Sequence, residues 1–290
     1  MTSSWMVVAG FLFAASGVFV KMGSEFFGAA EMAMYRSIFS LLLVLAIMAS
    51  RPGATLRTKY APAHVMRGMV GSVSLIGYFY AITKLPLATA QTLNYTSPLF
   101  LAIGTTVVLG ERFSPWLLVA ILLGFCGVAL LLQPTFAVGS EGPAVIGLVS
   151  GIFSAWAYLS VRTLGRLGEP DWRVLFYFAS IATLMCAGWN ASTGQFHAIT
   201  LRGGAILLAL GLCGTLAQLA MTRAYRTGNT LVVGAFSYTS ILFATVATIV
   251  LWGDHLAPTA VAGMAIIVAS GVMAMRVEKK EQVEEAGFES

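Results

Sequence analysis

The sequence is short of charge. Asp, Glu, Lys and Arg make up only 10% of its 290 residues, against 58% that are hydrophobic. A soluble domain carries about 25% charged residues because its surface must face water. So few charges cannot cover a water-soluble globule of this length, whereas a bilayer accepts an apolar exterior. Cysteine is equally scarce, and Cys126, Cys186 and Cys213 all lie inside apolar runs. An odd number without metal-ligand spacing reads as small buried side chains, not as disulfides or a metal site.

Other absences narrow the chemistry. The three histidines, His64, His197 and His255, fall between apolar runs. There is no HExxH pair, no phosphate-cradling glycine loop and no serine nucleophile paired with a midplane histidine. No catalytic residue, metal or cofactor is therefore expected. The acidic residues Glu25, Glu31, Glu111, Glu141, Glu169, Asp171 and Asp254 sit at run ends or in loops, never in mid-run. A proton-driven exporter of organic cations is expected to bury such a carboxylate. A zwitterionic, neutral or anionic cargo fits this pattern better. The formal charge is +5, but it is spread over short loops and forms no basic face with interleaved aromatics, so no nucleic-acid partner is expected.

What the sequence does have is long apolar runs. A span needs roughly 20 apolar residues, and ten are predicted, at about 5–22, 31–50, 65–84, 88–110, 114–133, 143–163, 172–190, 203–224, 230–252 and 257–276. Tight turns at Lys84-Leu85-Pro86 and Gly110-Glu111-Arg112, punctuated by Pro86 and Pro115, separate the closest pairs. No positive region precedes the first run, which is long enough to span and is expected to be retained. With an even number of spans, thirteen of the 17 Lys and Arg residues fall on the side of both termini and four on the other. Positive loops stay in the cytoplasm, so both termini are expected there. The tail at 277–290 is charged and reads as a solvated, disordered end.

The chain also repeats itself. Asn94-Tyr95-Thr96-Ser97-Pro98-Leu99-Phe100 aligns without a gap with Ser237-Tyr238-Thr239-Ser240-Ile241-Leu242-Phe243. Further on, Gly110-Glu111 meets Gly253-Asp254 and Pro115 meets Pro258. Earlier, Val8-Ala9-Gly10 matches Val149-Ser150-Gly151. Two repeats, 1–135 and 143–276, each hold five spans, and an odd number inverts the second copy relative to the first. Inverted repeats are an architecture of secondary transporters, with the site near the midplane between the halves.

These features resemble the EamA-type branch of the drug/metabolite transporter superfamily. The resemblance rests on the five-plus-five repeat, Tyr35-Arg36 in span two and Leu85-Pro86-Leu87-Ala88 before span four. It rests also on the Tyr-Thr-Ser-Pro-Leu-Phe run at 95–100 and on Leu109-Gly110-Glu111-Arg112. The second half departs from it at Asp254-His255 and at Ile241 in place of Pro98, which makes the halves unequal. The resemblance implies an all-α polytopic membrane protein of ten transmembrane helices in two inverted five-helix repeats. It implies a carrier of a small-molecule substrate in the inner membrane, working by alternating access, and no enzyme. Spans three, four, eight and nine would enclose the cavity. Spans five and ten would brace the periphery or meet a second copy, which makes a homodimer an option. Relatives look like exporters of amino acids and related metabolites, the leading expectation here. Others look like importers of larger compounds such as riboflavin or S-adenosylmethionine. A membrane-embedded lipid-acting enzyme, testable at Glu111 and His255, is the alternative from another class.

Several polar residues are candidates for lining the path. Arg36, about five residues into span two, costs roughly 2.5–3.5 kcal/mol in hydrocarbon. It attracts an anionic group of the cargo, snorkels to the interface or pairs with Glu31. Gln91, Asn94, Tyr95, Pro98 and Thr105 share a broad face of span four. Pro98 frees the carbonyl of Asn94 and should kink the helix there. The repeat pairs Tyr95 with Tyr238, and the two are expected to flank the central site. Tyr78 and Trp156, near the middle of their spans, and Gln218 complete the set. Gly147 and Gly151 form a small-xxx-small pair suited to close helix packing.

Overall fold

The computed structural model describes residues 3–50, 55–85, 87–109, 115–132, 139–194, 196–252 and 258–288. Among them are twelve helices and no strand. The first six are α1 (Trp5–Gly23), α2 (Ala29–Ala49), α3 (Ala61–Lys84), α4 (Leu87–Asn94), α5 (Ser97–Leu109) and α6 (Pro115–Leu132). The second six are α7 (Glu141–Arg166), α8 (Asp171–Thr193), α9 (Leu201–Thr227), α10 (Thr230–Ser237), α11 (Thr239–Trp252) and α12 (Pro258–Phe288). By length and composition, α1, α2, α3, α7, α8 and α9 can each cross a bilayer, as can Thr230–Leu251, which α10 and α11 share. Pro115–Leu130 and Pro258–Ala274 are shorter apolar helices. The chain is a polytopic, all-helical membrane protein.

The helices follow from their solvent. In hydrocarbon every peptide N–H and C=O needs a partner within its own segment, and a helix supplies one. Local punctuation sets the ends. Pro115 and Pro258 open α6 and α12 at the first position, where the missing N–H costs nothing. Asn229 caps α10 by accepting from the backbone N–H of Leu231 (3.0 Å).

The polarity is inverted relative to a soluble protein. Phe11, Val107, Leu184 and Val250 point outward, while Arg36, Arg67, Gln91, Asn94 and Thr215 are buried. Lipid tails are as apolar as leucine, so small residues and interhelical hydrogen bonds hold the helices together. Ser40 and Thr215 share a hydrogen bond of 2.7 Å between α2 and α9, and Ser74 and Ser154 one of 2.6 Å between α3 and α7. Ser270 of α12 donates to the Ala120 carbonyl of α6 at 2.9 Å. The main packing pairs are α1 with α9, α3 with α7, α2 with α8 and α6 with α12. The short α4 and α5 lie on α7, and α10 and α11 lie on α1.

The runs expected as single spans at 88–110 and 230–252 are both interrupted. The first breaks at Tyr95-Thr96 and the second at Tyr238. Pro98 explains only the first, since Ile241 stands at the matching position. A threonine follows each interrupting tyrosine and bonds back to the preceding turn. Thr96 Oγ1 donates to the Leu93 carbonyl and Thr239 Oγ1 to that of Phe236, both at 2.7 Å. Each break also receives a glycine from a neighbouring helix. A Cβ on Gly151 of α7 would lie 2.6 Å from Thr96 Oγ1, 2.9 Å from the Leu93 carbonyl and 3.1 Å from that of Asn94. A Cβ on Gly10 of α1 would lie 2.9 Å from Thr239 Oγ1 and 3.1 Å from the Ser240 nitrogen. The carbonyl freed by Pro98 therefore faces Gly151, not a cargo.

Two further expectations need correction. The tail at 277–290 does not read as irregular, because α12 runs to Phe288. Glu, Lys, Gln and Ala dominate that stretch, and all are strong helix formers. His64 is not in a connecting segment but in the first turn of α3, fully buried. Glu111, Arg112, Asp254 and His255 lie outside the described residues, as does Pro86.

His64 belongs to a polar tie at one end of the bundle. Glu169, between α7 and α8, accepts from Thr58 Oγ1 (2.7 Å) and Arg173 (2.9 Å) and lies 3.1 Å from His64 Nε2. The His64 ring stacks on Tyr177, centroids 4.5 Å apart. At the opposite end, Glu31 holds His197 through its backbone N–H (3.0 Å) and its ring Nδ1 (2.7 Å). Burial alone would push the Glu169 carboxyl up, but the Thr58, Arg173 and His64 contacts outweigh it and hold the group below its ordinary 4.5. A lowered folded-state value stabilises the fold above the ordinary value, and that stability is lost as pH falls through the lowered one. As pH falls below the ordinary carboxyl value, the melting temperature of the wild type is therefore expected to drop more steeply than that of Glu169→Gln. Parallel curves for the two would show that Glu169 is not the source.

Candidate functional site

The interior polar residues converge on one cavity. Together with its open mouth it takes in about 890 Å³ of space between helices. α2 contributes Arg36, α3 contributes Arg67, Ser74 and Tyr78, and α4 contributes Gln91 and Asn94. α7 supplies Ser154 and Tyr158, α8 Phe178, and α9 Gln218. Tyr95, Ser237 and Ser240 come from the two helix breaks and their flanks. Aromatic rings thus form the walls and a few aligned polar groups the recognition points, as a small organic ligand requires.

Of the residues singled out in the sequence, the cavity brings together Arg36, Tyr78, Gln91, Asn94, Tyr95 and Gln218. Arg36 is 4% exposed and donates to the Gly214 carbonyl of α9 at 3.2 Å. It neither snorkels nor pairs with Glu31, whose oxygens are held by His197. Its Nε has no partner. Asn94 donates to Ser150 Oγ at 3.0 Å and to Ser154 Oγ at 3.4 Å, so α4 is tied to α7 at the cavity wall. Pro98 and Thr105 are buried but outside the lining.

Two candidates lie elsewhere. Trp156 is 50% exposed on the outer side of α7. Helical geometry explains this, since Ser150, Ser154 and Tyr158 follow one another at i+4 along the inner face and position 156 points away. Tyr238 is fully buried in an apolar cluster with Val128, Ile241 and Ile267, behind the cavity wall. Its ring centroid is 6.4 Å from that of Tyr95, so the pair meets without flanking the site symmetrically. The Tyr238 hydroxyl has no hydrogen-bond partner among the described residues. Removing a buried, unpaired hydroxyl relieves a desolvation cost of about 1–3 kcal/mol. Tyr238→Phe is therefore expected to leave transport intact and to keep or raise the melting temperature. Tyr95→Phe, at the cavity surface, is expected to weaken substrate binding. Equal loss of transport in both variants would restore the symmetric arrangement.

Arg67 is the residue that sequence reasoning missed. At the edge of the predicted span 65–84, it is one of the thirteen basic residues assigned to the side of the termini. α3 begins earlier, at Ala61, which carries Arg67 two turns into the helix, where it is 3% exposed. Its guanidinium lies 4.4 Å from the Phe178 ring centroid, and its Nε and Nη1 have no hydrogen-bond partner. The small-residue stretch Gly68, Gly71, Ser72 and Ser74 is the signal that α3 is an interior helix from its first turns.

Comparison with known proteins adds an independent line. Residues 1–133 match the EamA-like transporter family. The pseudopaline exporter CntI of Pseudomonas aeruginosa is 32% identical over 279 residues, covering 94% of this chain and 95% of that protein. A riboflavin transporter of Rhizobium johnstonii is 25% identical over 285 residues, covering 96% and 92%. A chain in a solved crystal structure superposes with a TM-score of 0.82 at 16% identity, over 96% of this chain and 98% of that one. The last match speaks for the fold alone.

Proposed function

The chain belongs to the EamA-like transporter family, the EamA-type branch of the drug/metabolite transporters, and from that premise we propose that it is a secondary carrier exporting amino acids or related carboxylate-bearing metabolites across the inner membrane. The observation that carries this reading is the interhelical cavity that the buried Arg36 lines and in whose lining no acidic residue stands among the described residues. A guanidinium in that setting favours a carboxylate, and the absence of an acid among the lining residues disfavours an organic cation.

The mechanism proposed is alternating access between two inverted repeats, 1–135 and 143–276, of five spans each. The packing supports it. α1 lies on α9 as α7 lies on α3, and α2 and α6 meet their counterparts α8 and α12 directly. Both halves break the fourth span, and each break receives the first helix of the other half through Gly10 or Gly151. Two equivalent halves of opposite orientation can exchange conformations about a central site. The excess of Lys and Arg in the loops on the side of the termini supports placing both termini in the cytoplasm.

Uptake of a larger heteroaromatic metabolite is the second reading. The aromatic walls Tyr78, Tyr95 and Tyr158 favour it, as does the likeness to a riboflavin transporter. Purified protein in liposomes, challenged with labelled amino acids, organic acids and riboflavin, decides between them. Saturable flux of a carboxylate-bearing class, weakened by Arg36→Ala and by Asn94→Ala, is the expected result. Saturable riboflavin flux indifferent to Arg36 would favour the second reading. Flux that rises without saturation would indicate a channel.

A further inference from the structure

The cavity holds two buried guanidinium groups, and among the described residues no carboxylate neutralises either one. Arg36 is 4% exposed and Arg67 3%, and both line the same space. The two buried acids among the described residues are committed elsewhere, Glu31 to His197 and Glu169 to His64, Arg173 and Thr58. Placing one charge in a low-dielectric interior is costly, and placing two of the same sign near each other adds repulsion. A protein retains such a pair only where something of opposite charge is to be met.

The two groups are also separately seated. Arg36 extends from α2 toward α9, where it reaches the Gly214 carbonyl. Arg67 extends from α3 toward α8 and lies over Phe178. Glycine clears the seat of each. A Cβ on Gly214 would collide with Arg36 Nε, and one on Gly71 with Arg67 Nη1. Among the described residues, the buried side-chain nitrogens of the two arginines that find no hydrogen-bond partner are Arg36 Nε, Arg67 Nε and Arg67 Nη1, donors on both side chains. In the same cavity Gln91, Asn94 and Ser74 offer neutral polar contacts, and Tyr78 and Tyr158 add aromatic wall.

We propose that the cavity is built for an organic anion bearing two carboxylates, one held by Arg36 and the other by Arg67. This rests on the carrier reading above and sharpens it, since a simple zwitterionic amino acid would satisfy one arginine and place its ammonium near the other. Two guanidinium groups that leave different helices toward different helices match two acid groups on one carbon skeleton. They match a single phosphate less well, because a phosphate needs both forks turned onto one point.

The test is a binding titration of the purified full-length protein in lipid nanodiscs, read by thermal stabilisation. Its probes are succinate, glutarate and adipate, the half-amide of each, and phenyl phosphate. At least one diacid is expected to bind saturably and about 10-fold or more tightly than its half-amide. Arg36→Gln and Arg67→Gln should each erase that preference, with Arg36→Lys and Arg67→Lys retaining part of it. The lysine variants carry the test should a glutamine variant fail to fold. Half-amides binding as well as diacids, phenyl phosphate alone binding, or no diacid binding at all would overturn the two-anchor site. Liposome flux separates the two levels of the reading. Diacid binding without flux would keep the site and remove the carrier. Saturable flux of a monocarboxylate amino acid without diacid binding would keep the carrier and remove the site.

Discussion

Gly151→Leu is expected to abolish transport and to leave little folded protein. Gly151 sits where α7 crosses the break between α4 and α5, and its missing side chain lets two backbones touch. The first added carbon would meet the Leu93 carbonyl at 2.9 Å and the Asn94 carbonyl at 3.1 Å. Those are backbone atoms, which cannot rotate away, and Thr96 Oγ1 at 2.6 Å is itself pinned by its bond to the Leu93 carbonyl. Overpacking a close contact costs about 1–3 kcal/mol for small insertions, so alanine alone should lower the melting temperature by several degrees. Leucine would have to push α7 off the break and pull Ser150 and Ser154 away from Asn94. The repeat makes the same demand at Gly10, where the Ser240 nitrogen is the obstacle at 3.1 Å, so Gly10→Leu should fail in the same way. Gly188 is the control, since a Cβ there meets nothing within 4 Å. Gly188→Ala should be neutral or slightly stabilising, because alanine favours a helix over glycine by about 0.5–1 kcal/mol. Normal folding and transport by Gly151→Leu would mean that the break is loosely packed.

These glycines show how the fold was legible in the sequence and where legibility ended. Apolar runs of span length, separated by Pro115, Pro258 and short basic loops, locate the helices because hydrocarbon leaves the backbone no other choice. The alignment of Gly10 with Gly151, and of Tyr95-Thr96 with Tyr238-Thr239, is present in the sequence as letters. What the letters omit is that Gly10 docks on the break at Tyr238-Thr239 and Gly151 on that at Tyr95-Thr96. Side-chain direction was harder. Trp156 and Tyr158 are two residues apart, yet a helix sends them to opposite sides, and the residue singled out by its mid-span position, Trp156, is the one that faces outward. α3 starts four residues earlier than the predicted span, which moves Arg67 from the edge of the span into the buried interior. Tyr238 obeyed the repeat in sequence but not in environment, because the apolar cluster on α6 and α12 encloses it.

Asn94→Leu is expected to reduce the transport rate by about 10-fold or more while the helices still assemble. Asn94 closes a chain of hydrogen bonds across three helices. Its amide donates to Ser150 Oγ and Ser154 Oγ of α7. Ser154 shares a 2.6 Å bond with Ser74 of α3, which in turn reaches the Ser150 carbonyl at 3.0 Å. Leucine removes the donor and leaves two serine hydroxyls facing an apolar side chain, although Ser150 Oγ keeps its bond to the Gly147 carbonyl at 2.6 Å. The fold therefore survives, since α7 retains its packing against α3. What is lost is the tie between the broken span and the cavity wall, which the proposed alternating-access mechanism requires to be kept. Because the groups act as one network, Ser154→Ala combined with Asn94→Leu should cost little more than Asn94→Leu alone. Strict additivity of the two losses would show that Asn94 and Ser154 act independently, Asn94 then touching the substrate directly without organising α7 around it.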